Sequence, residues 1–299
     1  MSAPARSSPT RRHRRERRFR LWAQLCVAGA LLMLGWLLVD LLRLGLPALL
    51  GANPLEWLAR GDAAEPGRAG LATAALGSAM SLAVVALVAL PLGVASAVYL
   101  EEFAPRRGAG VRLARALGVL IGNLAAIPGI VYGLLGLAVL INGAGLARSA
   151  VITAALVLAL RVFPTVVIAS RGAIRSVSDA VVDGALSLGA SRMQAVFGQK
   201  LPLAAPGMVT GALLALAQAL GEAAPLLLIG MVAFVSRPPA ALDDPATTVP
   251  VQAYMWVQRA EPAWQAQAGA AVLVLLLVLV GINLLAAWAR RRLARRRYA

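Results

Sequence analysis

The chain has 299 residues, 60% of them hydrophobic and only 14% charged, which is an integral-membrane composition from which length says little about soluble domains. One cysteine, Cys26 inside an apolar run, excludes a disulfide framework and a thiolate metal site, and the lone His13 among tail arginines reads as solvated. No G-x-x-x-x-G-K-[S/T] occurs and Lys200 is the single lysine, so the chain has no phosphate cradle for ATP, and no cofactor or metal is expected.

Residues 1–20, rich in Arg, Ser and Pro, predict a disordered basic cytoplasmic tail. Residues 21–71 predict a first transmembrane helix and an external loop. The apolar run 21–44 is too long for a signal-peptide core and lacks a clean cleavage site, so it reads as a retained span. Residues 45–68, with Pro47, Pro54 and Pro66, suit the loop. The second span, 72–99, ends in PLGVASAVYLEEFAPRR. Pro91 should kink it by removing one backbone bond, and Glu101-Glu102 with Arg106-Arg107 mark its exit.

The third span, 116–141, carries Pro128-Gly129. Such a break is tolerated in lipid only where neighbouring helices or water satisfy the freed groups. A cavity-lining helix and a kinked packing helix both fit. Gly118, Gly122, Gly129, Gly133 and Gly136 offer small faces for close packing. The fourth span, 149–170, holds Arg161 about 15 Å from Arg171 at about 1.5 Å per residue, near mid-bilayer. The fifth, 205–235, holds Gln218 and Glu222, and Pro225 clashes with the Gly221 carbonyl, so the helix should bend beside the carboxylate. Charges at this depth are expensive and face the bundle interior and a partner. A structural ion pair, a water-facing side chain and a transport-pathway role all remain open for Arg161 and Glu222. The external segment 236–265 carries Tyr254, Trp256 and Trp264, read as an interfacial belt or a surface for a soluble partner. A plain Leu/Val span, 267–289, leads to the basic tail 289–299.

Across these six runs, 22 of the 29 Lys and Arg fall on one side and six on the other, with Arg161 inside a span. That is the positive-inside bias, and it places both termini in the cytoplasm. The net charge of +16 is therefore a topology signal rather than a nucleic-acid footprint.

The polar-leaning interval 176–202, SVSDAVVDGALSLGASRMQAVFGQKLP, predicts two short helices. Ser176-x-x-Asp179 and Ser191-x-x-Gln194 are capping-box patterns. Gly189 sits where a helix C-terminus wants a left-handed residue, and Leu201-Pro202 should end the second helix. Val181, Val182, Ala185 and Leu186 form one apolar stripe, and Met193, Val196 and Phe197 another. They pack either under the chain's own bundle or against a partner protein.

This interval resembles the cytoplasmic coupling loop of ABC importer permeases, Glu-Ala-Ala, three residues, Gly, nine residues, Ile-x-Leu-Pro. Here Asp183-Gly184-Ala185, Gly189 and Gln199-Lys200-Leu201-Pro202 keep the spacing, with Gly184 and Gln199 departing from it. PLGVASAVYLEEF, NLAAIPGIVYGLLGLAVL, QALGEAAPLLLIG and VPVQAYMW narrow the resemblance to PstA-type permease subunits of bacterial phosphate ABC importers. The likeness spans about 72–288, which would be the permease domain. The family usually has Arg where Gln218 stands, and another near Ile168; here Arg161 lies seven residues before Ile168, so the positive charge has moved along the pathway.

The resemblance implies an all-α, six-helix type I ABC importer permease fold in the bacterial inner membrane, and a permease rather than an enzyme. It also implies a cytoplasmic ATPase dimer, a second, PstC-like permease and a periplasmic phosphate-binding protein as partners. Asp183, Ala185, Gly189, Leu201 and Pro202 would be ATPase-coupling residues, and Arg161, Gln218, Glu222 and Pro225 would line the substrate path. Permeases for molybdate or sulfate share the loop, and a proton-coupled transporter using Glu222 is the remaining alternative.

Overall fold

Long apolar stretches interrupted by proline dictate both the helices and their breaks. The computed structural model describes residues 9–295 apart from 52, 106, 232, 233 and 236. Among the described residues there is no strand, only an isolated bridge between Ala150 and Pro245. The elements are α1 Pro9–Gly51, α2 Pro54–Ala59, α3 Ala72–Val98, α4 Ala109–Ala126, α5 Gly129–Leu135, α6 Val151–Arg175, α7 Ala180–Ser187, α8 Arg192–Ala195, α9 Leu201–Gly221, α10 Ala224–Leu228, α11 Val249–Val257 and α12 Pro262–Arg295. Three π-helical turns, Tyr99–Phe103, Gly136–Gly143 and Val196–Lys200, extend α3, α5 and α8.

Five helices are long and apolar enough to cross a membrane, six if the pair Gly110–Ala126 and Gly129–Gly143 counts as one span. That pair carries the break expected at Pro128-Gly129, and it is bent there by 108°. Pro128 forces Ile127 into an extended conformation, φ −70° and ψ 132°, and α4 stops there. The Leu124 carbonyl, whose i+4 donor is missing at Pro128, accepts from the Ile127 N–H (3.1 Å) and from the Tyr132 hydroxyl (2.7 Å). The fifth span is corrected. It ends at Gly221, Glu222 turns extended (φ −83°, ψ 123°), and α10 starts afresh with Pro225 in its first turn. By contrast α3 runs through Pro91 without a break. Helix α1 already begins at Pro9, so disorder does not hold over 9–20: the apolar run has nucleated a helix that arginines, good helix formers, can continue. Residues 1–8 lie outside the described residues.

The core is built on close approach, as expected where lipid removes most of the hydrophobic drive between helices. Helix α6 lies between α3 and α9, with Val85, Ala89, Val157, Val162 and Ala215 fully buried among them. Gly133 lets α5 pass under α10: a Cβ there would stand 2.6 Å from the Pro225 carbonyl oxygen. Gly136 likewise abuts Val157, while Gly122, expected to pack in the same way, faces open space.

A second cluster corrects the reading of Trp256 and Trp264 as a belt. Both are buried, 0% and 3% exposed, against Trp57 of α2, with ring centroids 6.5 and 6.0 Å apart along the stack. The burial of Trp57 and Trp256 is possible because their indole N–H groups have partners inside the protein. Trp57 Nε1 donates to Gln267 Oε1 (2.6 Å), and Trp256 Nε1 donates to Asp62 Oδ1 (3.1 Å). Tyr254 remains half exposed. In the loop preceding α11, the Ala241 and Ala240 N–H groups donate to Asp244 Oδ2 (2.8 and 2.7 Å), holding that carboxyl below the usual carboxylate range.

Candidate functional site

Two broken helices meet over one arginine. Gln218 lies in the last turn of α9, Glu222 is the extended residue that ends it, and both reach Arg161 of α6. Arg161 Nη2 lies 3.4 Å from Glu222 Oε1, with the side chains 13% and 20% exposed. That distance is longer than a direct charge-assisted hydrogen bond. Gln218 takes the tighter hold. With its amide oriented by its surroundings, the oxygen accepts from Arg161 Nη1 (3.1 Å) and Nη2 (3.0 Å), and the nitrogen donates to Thr165 Oγ1 (3.3 Å). The guanidinium also stands over the Tyr132 ring, 5.7 Å from its centroid. Gly129, at the start of α5, keeps the space clear, since a Cβ there would lie 3.0 Å from Glu222 Oε2 and 3.6 Å from Arg161 Nε.

The structure thus brings Arg161, Gln218 and Glu222 together. Pro225 stands at the α9–α10 break, buried against Gly133. Arg161 Nε is buried and finds no acceptor among the described residues. The site is a mostly buried cation whose three partners leave the Nε–H unspent among the described residues. Thr165 and Tyr132 escape sequence reading because each is an unremarked residue of an apolar run until the fold turns it toward Arg161.

The 176–202 interval forms α7, α8 and the π turn Val196–Lys200. Ser191 caps α8 as predicted, its Oγ accepting from Gln194 N (3.3 Å) while Gln194 Oε1 accepts from Ser191 N (2.9 Å). Ser176 does not cap α7. Helix α6 runs on to Arg175, so Ser176 is its C-terminal residue and donates to the Ala173 carbonyl (2.7 Å). Gly189 adopts φ +89°, the left-handed conformation expected of it. Pro202 does not end a helix: the chain passes from α8 to Gly221 as one 30-residue apolar span. The π turn explains this. Leu201 N–H reaches Val196 O, and the widened turn accommodates a ring that would otherwise collide with the Gly198 carbonyl.

Asp183 and Gly189 are exposed, Ala185 is half-buried, and Leu201 and Pro202 stand at the base of α9. Of the two apolar stripes, Val182 and Val196 pack inward. Leu186, Met193 and Phe197 face out, together with Leu188, which is 91% exposed. Part of each stripe therefore packs under the chain's own bundle, and the rest is exposed.

An ionic network at this same end has no counterpart in the sequence reading. Lys200 Nζ lies 2.6 Å from Glu102 Oε1 and 2.6 Å from Asp179 Oδ1. Arg192 Nε donates to the Glu102 carbonyl (2.9 Å), and Arg171 and Arg175 hold Glu101 at 2.5 and 2.8 Å. Glu101-Glu102 reads in sequence only as the end of a span. The one available signal is that the sole lysine of an arginine-rich chain falls at Lys200.

The family model for the binding-protein-dependent transport system inner membrane component matches residues 89–297, and one for a domain of unknown function matches residues 6–53. The chain is 32% identical over 269 residues to the phosphate transport system permease protein PstA 1 of Mycobacterium tuberculosis, covering 90% of this chain and 86% of that one. It is 30% identical over 175 residues to PstC 2 of the same organism, covering 51% of this chain and 52% of that one. Among solved structures, a bacterial alginate ABC transporter in complex with an alginate-bound periplasmic protein superposes with a TM-score of 0.65 at 16% identity, covering 93% of this chain and 96% of that one.

Proposed function

We propose, on the premise that this chain belongs to the family of binding-protein-dependent transport system inner membrane components, that it is the permease subunit through which an ATP-driven importer moves inorganic phosphate. It is a multi-pass membrane protein. The observation that carries the substrate is the Arg161 site: one guanidinium with an unspent N–H at the junction of two broken helices, held by a neutral amide and a loosely placed carboxylate. An oxyanion entering there meets a positive charge that is not locked in a bidentate pair, and can leave again because Glu222 takes the charge back. The name and near full-length likeness of the mycobacterial PstA relative support phosphate over other oxyanions. Glu222 has a cationic neighbour, so a proton-carrying role for it has no support in this geometry.

The remaining parts follow the same reading. A second, PstC-like permease completes the pathway, a binding protein delivers phosphate from outside, and two ATPase subunits dock on the exposed Leu186, Leu188, Met193 and Phe197 of the loop. ATP-driven closure of that pair moves α7 and α8, and the bundle alternates between outward- and inward-open states. The reading is tested in proteoliposomes containing the full transporter: labelled phosphate should enter only with ATP inside and binding protein outside. An excess of sulfate or molybdate should leave the rate unchanged. Competition by either oxyanion at equal concentration would reassign the substrate.

The positive-inside bias supports a cytoplasmic side for both termini. In a Cys26→Ala background, Asp243→Cys, at an exposed position in the loop before α11, should react with an impermeant thiol reagent from outside intact cells. A reporter joined after Ala299, which lies outside the described residues, should be cytoplasmic. Labelling of position 243 only after the membrane is opened would overturn this topology.

A further inference from the structure

The network around Lys200 ties together elements that an importer would have to move in concert. Glu102 lies in the π turn Tyr99–Phe103 at the end of α3, and Lys200 closes the π turn Val196–Lys200 at the base of α9. The two side chains are 4% and 5% exposed and meet at 2.6 Å. Lys200 also reaches Asp179, the residue from which α7 starts. Arg192, the first residue of α8, donates to the Glu102 carbonyl and lies 3.6 Å from its Oε2. Glu102 is therefore held from both ends of the segment formed by α8 and its π turn, by Arg192 at the start and Lys200 at the end.

Three features set this pair apart from an ordinary interfacial salt bridge. It is buried, so its attraction is little screened and its geometry is demanding. It joins two π turns, whose i→i+5 bonds are a recurrent mark of functional sites within helices. A polar cavity of about 360 Å³, lined by Glu101, Glu102, Arg175, Asp179 and Lys200, adjoins it between the start of α7 and the end of α3.

We infer that the Glu102–Lys200 pair is the joint through which motion of α7 and α8 reaches α3, making Lys200 a positioning residue for coupling. The inference rests on the proposed importer reading and adds a specific route to it. The loop's exposed apolar residues would receive the push, and the buried ion pair would hand it to the span beside α6. Lys200 itself touches neither nucleotide nor substrate. Without the pair, docking and hydrolysis persist while the bundle no longer follows.

The test uses the whole transporter, with second permease, ATPase pair and binding protein, reconstituted in proteoliposomes. Lys200→Met is expected to retain the ATPase pair on purification and to hydrolyse ATP within about twofold of wild type. The phosphate moved per ATP should fall tenfold or more. Lys200→Arg, which keeps the charge, should recover much of that ratio. Because a single substitution strands a buried charge and can impair folding, the deciding variant is Glu102→Leu/Lys200→Met, in which neither buried charge remains. It should accumulate normally and still be uncoupled. A wild-type phosphate-to-ATP ratio in that double variant, or parallel loss of uptake and hydrolysis, would overturn the joint. Failure of the wild-type chain to carry the ATPase pair or to move phosphate would instead sink the importer reading beneath it.

Discussion

Gly189→Val is expected to leave the chain in the membrane at wild-type level while cutting ATP-dependent phosphate uptake tenfold or more. The turn after α7 is a Schellman motif: Ala190 N–H bonds the Ala185 carbonyl (3.1 Å) and Gly189 N–H the Leu186 carbonyl (3.0 Å). It requires a left-handed residue, and Gly189 supplies φ +89°. A Cβ at this position would meet nothing within 4 Å, so the substitution acts on the backbone alone. A β-branched residue there costs roughly 1–3 kcal/mol if the turn is kept. The chain avoids that cost by opening the turn, which re-aims Leu186 and the 91% exposed Leu188. Each 1.4 kcal/mol, approximately, is tenfold in an equilibrium constant, so the intact turn is populated that much less and docking weakens by the same factor. Gly189→Asn, tolerated in left-handed turns, should retain most uptake, and Gly189→Ala should fall between the two. Membrane level by immunoblot and labelled-phosphate uptake decide the matter. Wild-type uptake and ATPase stimulation in the Val variant would refute a coupling role for this loop.

Much of this architecture is readable from local chemistry. Gly189 and the Ser191 cap depend only on neighbouring residues, so the sequence predicts them. The Pro128 and Pro225 interruptions are readable as positions but not as extents, because whether a helix bends or stops depends on what receives the freed backbone groups. For the Leu124 carbonyl the receivers are the Ile127 N–H and the Tyr132 hydroxyl, the latter delivered by the helix that restarts. Pro202 misleads for the converse reason: a π turn immediately before it removes the clash that would stop the helix. Hydropathy measures transfer from water and does not separate lipid from protein, so Trp256 and Trp264 look like belt residues until Trp57 is folded against them. The Glu102–Lys200 joint is the least legible feature, since its halves lie in different spans and each alone looks like a charge at a membrane boundary.

Arg161→Gln and Glu222→Gln are each expected to lower phosphate uptake and the amount of protein in the membrane, for two different reasons. A lone charge near mid-bilayer costs at least about 2.5–3.5 kcal/mol by insertion measurements, so either substitution strands its partner. Removing both should therefore restore level in part. The 3.4 Å separation and the 13% and 20% exposures put this coupling near the lower end of the range of about 0.5–3 kcal/mol for residues in contact. Uptake is a separate matter. If Arg161 receives the oxyanion, Arg161→Gln/Glu222→Gln should accumulate and still transport poorly. Gln218 supplies the decisive variant. Its amide oxygen already sits 3.0–3.1 Å from both Arg161 Nη atoms, and it occupies the position where the resembled permeases carry arginine. Arg161→Gln/Gln218→Arg moves the guanidinium from α6 to α9 while keeping one cation beside Glu222, and should regain uptake that Arg161→Gln loses. Gln218→Arg alone sets two guanidinium groups against each other and should impair the protein. Strictly additive losses in the first pair of variants, with no rescue in the second, would mean that Arg161 neither pairs with Glu222 nor meets the substrate.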